Sequence, residues 1–235
     1  MKLSLIIPCY NEEKNISLFY NEVLKTFKDK KISLELIFIN DGSSDNTIDE
    51  LIKISKKKDF TIKIIDFSRN FGKEAGMYAG FKHATGDYIC VIDADLQQPP
   101  ALVLKMLNIL EENEKYDVVA AYQTKRQDPF LKKHLSNAFY KVINKLTEIE
   151  FKSGASDFRL FRKSVVSSIL DIKEYYRFSK GIFSWIGYNT YYMEYEPAPR
   201  ANGTTKWSLK KLFKYAFNGI LSYTTFPIKI ATVVG

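Results

Sequence analysis

The sequence predicts an α/β fold in which a mainly parallel sheet is covered by helices on both faces. Over the first 122 residues, short apolar runs typical of strands alternate with segments whose apolar residues recur at helical spacing. This alternation is typical of right-handed βαβ units, in which helices bury each parallel strand. The residues that follow the first four strands are polar, and ligands bind at that edge of such sheets.

Five strands and four helices are predicted in this part of the chain. The strand-like runs cover residues 3–9, 34–40, 61–68, 87–95 and 117–122. The helical patterns cover residues 13–28, 43–55, 72–84 and 99–115. Ser and Asp near the start of the second helix, and Pro in the first turn of the fourth, favour helix starts at those positions.

Two later segments, residues 131–146 and 207–224, have apolar stripes at helical spacing with lysines around them. Basic amphipathic helices are typical of a membrane interface, and packing of either helix onto the domain core is the alternative. Residues 1–100 carry a net charge of −1 and residues 101–235 one of +9. The second half is therefore expected to meet an anionic partner, such as a membrane surface, phosphate groups or nucleic acid, unless it is only a solvated basic face.

The last ten residues, FPIKIATVVG, are too few to span a bilayer, which needs about 20. Our hypothesis is that they begin a transmembrane segment, and an ordinary strand is the alternative. The two cysteines, Cys9 and Cys90, lie in strand-like runs without disulfide or zinc spacing. We expect buried, reduced thiols, which fits a reducing compartment.

Two carboxylates, Asp93 and Asp95, stand one residue apart at the end of the fourth predicted strand. Their mutual repulsion would be relieved by a divalent cation. Mg²⁺ and Mn²⁺ prefer oxygen ligands and commonly bridge protein carboxylates to substrate phosphates. The pattern therefore favours a metal site, with a surface turn carrying two acids as the alternative.

Three further side chains are expected at the same edge of the sheet. Asp41, after the second strand, could accept hydrogen bonds from a base or ribose, or could help to cap the second helix. Arg69 and Lys73 follow the third strand, and their charges suit phosphate unless they are ordinary surface cations.

Six blocks of the sequence occur in an order that resembles a known enzyme family. They read PCYNEEKNI, NDGSSDNT, RNFGKEAGMYAGFKHATGD, DADLQQPP, SDFRLFRK and RANGTTKWS. Over essentially the whole chain they resemble glycosyltransferase family 2, and more narrowly the polyprenyl-phosphate glycosyltransferases, which include dolichol-phosphate mannosyltransferases. SDFRLFRK followed by RFSKGIFSWIGY is most similar to the bactoprenol glucosyl transferases of that group.

The resemblance implies a GT-A fold with one nucleotide-sugar site. The residues that it places at the nucleoside are Pro8, Tyr10, Glu12 and Asp41. It places Asp93 and Asp95 beside the diphosphate, with Asp95 as the direct metal ligand, and Gln97 close to the donor phosphates or the sugar. One departure is Gln98, because the family commonly has Asp-Pro-Pro-Glu where this chain reads Gln-Pro-Pro-Ala. Two acidic groups that the family commonly places beside the metal are therefore missing from this chain.

On the acceptor side the resemblance implies that Asp157 lies at the sugar and acceptor end, where it orients the acceptor or stabilises positive charge on the sugar. A structural salt bridge with Arg159 or Arg162 is the alternative. Arg200 and Lys206 would reach the acceptor phosphate, or would otherwise belong to a charged loop.

The chain is then expected to divide into a nucleotide-sugar-binding half (residues 1–122), an acceptor-side half of the same domain (123–206) and a juxtamembrane helix with the start of a transmembrane segment (207–235). The resemblance favours transfer of glucose from a UDP-sugar to undecaprenyl phosphate, with inversion, at the cytoplasmic face of the cell membrane. A homo-oligomer is a separate expectation, and the sequence does not indicate the oligomeric state. A family 2 enzyme with a soluble or polysaccharide acceptor is the first alternative. A basic module that binds nucleic acid is the second, and it is disfavoured because carboxylates at the cleft would repel a polyanion.

Overall fold

One seven-stranded sheet forms the centre of the molecule in the computed structural model, which describes residues 1–123, 155–174, 177–199, 201–202 and 232. Its strands are β1 (Lys2–Cys9), β2 (Ser33–Asn40), β3 (Thr61–Asp66), β4 (Tyr88–Val91), β5 (Val118–Gln123), β6 (Ala155–Arg162) and β7 (Thr190–Tyr195). The order across the sheet is β3-β2-β1-β4-β6-β5-β7.

All strands but β6 point the same way. β1 pairs in parallel with β2 and β4, β2 with β3, and β5 with β7, whereas β6 is antiparallel to both β4 and β5. The carboxyl ends of β1 to β4 therefore meet at one edge, and β6 begins its path at that edge. The prediction of a mainly parallel sheet is confirmed.

Helices cover both faces of the sheet, as the sequence predicts. They are α1 (Glu13–Phe27), α2 (Thr47–Ser55), α3 (Lys73–His83), α4 (Ala101–Glu112), α5 (Lys163–Asp171) and α6 (Ser179–Trp185). α1, α2 and α4 pack on one face, and α3, α5 and α6 pack on the other. Both thiols are free and buried, which confirms the interpretation of the cysteines.

α3 lies close to β1 because Gly80 has no side chain. A Cβ atom at this position would lie 2.3 Å from Cγ2 of Ile6, and Ile6 is fully buried. Real Cβ atoms do not approach other atoms so closely, so glycine is required for this helix to reach the sheet. The approach brings the start of α3 to the carboxyl edge beside β1.

The fold differs from the sequence prediction at several boundaries. α2 begins at Thr47, four residues later than predicted. The side chains of Ser43 and Asp45 instead accept hydrogen bonds from backbone N–H groups that follow β1. β4 ends at Val91, so the acid pair lies in a loop and not in the strand. The strands and helices between Ala155 and Tyr195 are not among the elements predicted from the sequence. β6 joins the sheet between β4 and β5, and β7 forms its edge next to β5. The proposed division into 1–122, 123–206 and 207–235 stays a prediction.

The predicted amphipathic helices at 131–146 and 207–224 lie outside the described residues, as does the apolar end at 226–235 apart from residue 232. Where the structure does describe the chain, none of its helices combines the length and the apolar character needed to cross a bilayer.

Candidate active site

The loops after β1 and β2 are joined by hydrogen bonds into one platform at the carboxyl edge of the sheet. The Asn11 N–H donates to Oγ of Ser43 at 2.9 Å, and the Ser44 N–H donates to Oδ1 of Asn11 at 2.8 Å. Asn11 has a φ of 53°, a conformation that asparagine tolerates better than most residues. The Glu12 N–H donates to Oγ1 of Thr47 at 2.8 Å, which fixes the start of α1 against α2.

The predicted nucleoside residues lie on this platform. Pro8 is half-buried near the end of β1, and Tyr10 is exposed just beyond it. The carboxylate of Glu12 accepts a hydrogen bond from Nδ2 of Asn15 at 2.6 Å. The structure therefore places these residues along one edge, and their contact with a nucleoside stays a prediction.

Asp41 is almost completely buried and holds the loop after β3. Its Oδ1 accepts from the Phe71 N–H at 2.6 Å, and its Oδ2 accepts from the Gly72 N–H at 2.9 Å. Burial outweighs these bonds and raises the pKa of the carboxyl above its ordinary value. The helix-capping alternative is wrong, because α2 begins only at Thr47 and the carboxylate bonds the amides that precede α3. A bond from Asp41 to a base or ribose stays a prediction.

Arg69 and Lys73 are separated by the structure although both follow β3. The guanidinium of Arg69 lies over the ring of Phe71 at 4.0 Å and donates to the carbonyl oxygen of Asn70. Lys73 is the first residue of α3 and turns toward the acid pair. Arg69 is therefore an exposed cation, whereas the ammonium group of Lys73 is paired with carboxylates.

The acid pair lies in a tight loop that is closed by hydrogen bonds. Asp95 is 7% exposed, and its Oδ1 accepts from the Gln97 N–H at 3.1 Å. Leu96 has a φ of 61°, a strained conformation for a branched residue. Oε1 of Gln98 accepts from the Asp93 N–H at 3.0 Å. Gln98 is buried, so this departure from the family pattern supports the loop through its amide.

The ammonium group of Lys73 joins Asp93 to Asp157. Its Nζ lies 2.7 Å from Oδ1 of Asp93 and 3.3 Å from Oδ2 of Asp157. Burial disfavours the charged form of Lys73, but the two carboxylates outweigh it and raise its pKa. Burial also opposes ionisation of Asp157, and the charges of Lys73 and Lys180 nevertheless hold its pKa below the ordinary value. Lys73 and Asp157 are therefore both charged at neutral pH.

Asp157 has one oxygen in this ion pair and one that is unsatisfied. Its Oδ1 is buried and has no hydrogen-bond partner among the residues that the structure describes. The alternative of a salt bridge with Arg162 is wrong, because that guanidinium donates to the carbonyl oxygens of Leu110 and Tyr116. Arg159 is buried, donates to the Ser156 carbonyl oxygen and also lowers the pKa of Asp157.

Ala198 and Ala201 lie against the acid-pair loop. The Ala198 N–H donates to the Gln97 carbonyl oxygen at 3.1 Å, and the Ala201 N–H donates to that of Asp95 at 3.2 Å. Nδ2 of Asn202 donates to Oδ1 of Asn15 at 3.2 Å, and Asn15 in turn bonds Glu12. The start of the R-x-x-G-x-T-K motif is thus tied to both the acid pair and the platform. Arg200 and Lys206 themselves lie outside the described residues.

The donor set fits a divalent cation shared with a diphosphate. Asp95 and Asp93 supply hard carboxylate oxygens, which Mg²⁺ and Mn²⁺ prefer. In the described ranges, which omit residues 124–154, no cluster of three or more His, Cys, Asp or Glu side chains could hold a metal alone. Phosphate oxygens of a bound diphosphate would supply further ligands beside these carboxylates.

Sequence reasoning missed two structural contributors to this site. Asn15 belongs to the quoted block PCYNEEKNI, but nothing in the sequence indicates that it bridges Glu12 and Asn202. Glu74 binds the N–H and the hydroxyl of Ser179, which fixes the start of α6 against α3. The one sequence signal for Glu74 is its position in the first turn of the predicted helix 72–84, where acidic side chains are favoured.

Comparison with known proteins gives one consistent result. The profile of glycosyl transferase family 2 matches residues 4–170. The chain is 39% identical over 236 aligned positions to the prophage bactoprenol glucosyl transferase homolog of Escherichia coli K12, covering 100% of this chain and 76% of that protein. It is equally 39% identical to the uncharacterized glycosyltransferase sll0501 of Synechocystis sp., covering 100% and 73%.

Solved structures share the fold at low sequence identity. Staphylococcus aureus TarS 1–349 superposes with a TM-score of 0.58 at 20% identity, over 82% of this chain, which spans only 58% of that one. Glucosyl-3-phosphoglycerate synthase of Mycobacterium tuberculosis, solved with Mn²⁺, UDP and glucosyl-3-phosphoglycerate, superposes with a TM-score of 0.56 at 18% identity, over 92% and 76%. These neighbours confirm the GT-A-like fold.

Proposed function

The chain belongs to glycosyl transferase family 2 and is a glycosyltransferase, and we propose that it moves a glucosyl group from UDP-glucose to undecaprenyl phosphate. The observation that carries this proposal is its similarity, along its whole length, to a protein named bactoprenol glucosyl transferase homolog. Three further relatives at 37% identity, from Shigella phages SfX, SfV and SfII, carry the name bactoprenol glucosyl transferase.

The geometry of the carboxyl edge supports a donor site there. The platform formed by the loops after β1 and β2 offers a surface for the nucleoside, and the acid-pair loop follows β4, which pairs directly with β1. A UDP-sugar laid along this edge would bring its diphosphate to Asp95 and Asp93. Pro8, Tyr10, Glu12 and Asp41 would then face the nucleoside, and Gln97 would lie near the phosphates.

The acceptor would arrive beside Asp157, near Ala198 and Ala201, which bond the acid-pair loop. Ala201, the second residue of the R-x-x-G-x-T-K motif, donates its N–H to the carbonyl oxygen of Asp95, beside the place proposed for the donor diphosphate. We assign Arg200 and Lys206 to the acceptor phosphate, because two anionic substrates need cations between them. Asp157 would orient the acceptor or stabilise positive charge on the sugar ring.

The reaction requires no strong base. An oxygen of the lipid phosphate is already ionised at neutral pH and attacks the anomeric carbon of the donor sugar. A bond forms between this oxygen and the anomeric carbon, while the bond to the β-phosphate oxygen breaks and UDP leaves with the electron pair. Because attack is in line with the departing bond, the configuration at the anomeric carbon is inverted.

A bound divalent cation, Mg²⁺ or Mn²⁺, would neutralise charge that develops on the departing diphosphate. Asp95 would hold it, with Asp93 next to it. The chain's own contribution is to fix these carboxylates in a loop closed by Gln97 and Gln98, so that the loop does not reorganise during the reaction.

We also propose that the enzyme works at the cytoplasmic face of the membrane. The surplus of basic residues after residue 100 would attract anionic lipid headgroups. An acceptor whose apolar tail stays in the bilayer could then present its phosphate to the cleft. Both basic amphipathic patterns are assigned to this contact.

The proposal is tested by transfer of radiolabelled glucose from UDP-glucose to undecaprenyl phosphate in detergent micelles, with Mg²⁺ or Mn²⁺ added. We expect counts in the organic phase that require the lipid phosphate and disappear with a chelator. Reactions with UDP-galactose, UDP-N-acetylglucosamine and GDP-mannose test the choice of donor.

Two outcomes would contradict the proposal. The lipid acceptor would be excluded if no donor gives label in the organic phase while sugar is still transferred to a soluble or polysaccharide acceptor. Tight, salt-sensitive binding of nucleic acid without any transfer activity would favour the binding-module alternative. The variant Asp95→Asn is the control, because it should bind lipid micelles as the parent protein does and transfer no sugar.

A further inference from the structure

Lys73 lies between two carboxylates, Asp93 and Asp157, that the fold brings together. Asp93 follows β4, and Asp157 lies on β6, the antiparallel neighbour of β4. Val91 pairs with Arg159 in this ladder, so the continuing register brings Asp93 and Asp157 to the same level. Like charges opposite each other on neighbouring strands repel, and here the carboxylates are only partly exposed, at 33% for Asp93 and 21% for Asp157.

Lys73 resolves this repulsion from a third element. Its Nζ contacts one oxygen of each carboxylate, at 2.7 Å and 3.3 Å, and its side chain is 27% exposed. The backbone that delivers it is also anchored, because Asp41 binds the N–H groups of Phe71 and Gly72 immediately before it. The lysine is therefore held in place independently of any ligand.

We propose that Lys73 is a positioning residue of the transfer reaction, and not a ligand of the donor phosphates. Its ammonium group holds Asp93 and Asp157 at a fixed separation, and so aligns the diphosphate side of the site with the sugar and acceptor side. It also occupies the place between these carboxylates that a cation would otherwise take. This inference rests on the proposed function only for the identity of the acceptor.

The arrangement makes the divalent cation depend on the nucleotide. Lys73 pairs with one oxygen of Asp93 and one of Asp157, and so neutralises part of their negative charge. These carboxylates therefore attract a divalent cation only weakly when no nucleotide is bound. Phosphate oxygens then have to complete its ligand set. Removal of the lysine charge would leave two adjacent carboxylates that attract a cation by themselves.

Mn²⁺ binding to the full chain, measured by electron paramagnetic resonance of free Mn²⁺, tests this without any acceptor. The parent protein is expected to bind Mn²⁺ weakly until UDP is added. Lys73→Met should strengthen binding in the absence of UDP by about tenfold. Lys82→Met, which removes an exposed lysine from the same helix, is the matched control and should behave as the parent does.

Steady-state kinetics separate the two roles of the lysine. A positioning residue that is lost should lower kcat by about 100-fold, with the KM for the donor changed by less than about threefold. A phosphate ligand that is lost should raise the KM for the donor and its dissociation constant by at least about tenfold. UDP affinity measured by calorimetry reports this difference even if the acceptor is a different molecule.

Two results would overturn the inference. The first is Lys73→Met protein with a melting temperature close to the parent's and unchanged Mn²⁺ binding without UDP. The second is a loss of UDP affinity that accounts for the whole fall in kcat/KM. If Lys73→Met does not fold, Lys73→Arg is used for the test. Its positive charge should keep Mn²⁺ binding dependent on UDP, and its longer side chain should lower kcat. An arginine variant with parental kcat contradicts the proposal.

Discussion

Glu35 provides the most direct test of how the sheet is held together, at the edge opposite the site. Its carboxylate is completely buried in β2, where it accepts from Oγ of Ser4 at 2.5 Å and from the Thr85 N–H at 2.6 Å. Two lysines lie on its other side, with Nζ of Lys63 at 3.0 Å and Nζ of Lys2 at 3.6 Å. These contacts join β1, β2, β3 and the turn before β4.

The magnitude follows from the pKa of Glu35. Burial opposes its ionisation, but bonds from Ser4, Thr85 and Lys63 lower its pKa from 4.5 to about 2. A folded-state pKa below the unfolded one stabilises the protein at neutral pH, here by about 3 kcal/mol. That contribution is complete above about pH 5 and is lost as the pH falls from there toward 2.

Glu35→Gln keeps the shape of the side chain and removes its charge. We expect the free energy of unfolding at pH 7, measured with urea, to fall by about 3 kcal/mol. The difference between the two proteins should shrink steadily below pH 5, because the parent loses its advantage as Glu35 protonates. Stability measurements at pH 7, 5 and 4 are sufficient to see the trend.

Glu22→Gln is the matched control. Glu22 also pairs with a lysine, Lys25 at 3.9 Å, but its side chain is 48% exposed on α1. Its loss should change stability by less than about 0.5 kcal/mol. The reasoning is refuted if Glu35→Gln costs no more than Glu22→Gln, or if its cost is the same at pH 4 as at pH 7.

Three further predictions concern the site and its support. Asp95→Asn should lower metal-dependent transfer at least about 100-fold while the circular dichroism spectrum stays parental; full activity in chelator-treated Asp95→Asn protein would exclude the metal role. Lys206→Ala should raise the KM for the lipid acceptor more than that for the nucleotide sugar, whereas equal effects would indicate a donor-phosphate role. Gly80→Ala should destabilise the protein by about 1–3 kcal/mol in urea unfolding, because its Cβ would meet Ile6. Gly76→Ala, whose Cβ would lie 3.6 Å from the nearest atom, should be neutral or stabilising, and a similar loss for both would contradict the packing argument.

Much of the site's composition could be predicted because strand ends are local features. Polar residues placed directly after apolar runs predicted that Asp41, Asp93 and Asp95 would share one edge, and the structure brings them there. The boundaries were less predictable. The strand before the acid pair was predicted to reach residue 95, yet it ends at Val91 because the following loop forms its own hydrogen bonds.

The contacts of Lys73 could not be predicted, because they depend on which strand lies beside β4. The sequence SDFRLFRK does not show that this segment enters the sheet antiparallel between β4 and β5. That insertion places Asp157 next to Asp93. Lys73 on α3 then has two carboxylates within reach, although its sequence position predicts a contact with phosphate.

The sequence by itself determined the α/β class, the family and the edge of the sheet where the chemistry lies, because periodicity and the order of motifs are properties of the chain alone. The tertiary structure decided how the charges at that edge are shared. Asp41 holds backbone amides, Gln98 closes the acid-pair loop, and Lys73 joins Asp93 to Asp157. Electrostatic partners are set by distances of a few ångströms between elements far apart in sequence, and these distances exist only after the sheet has assembled.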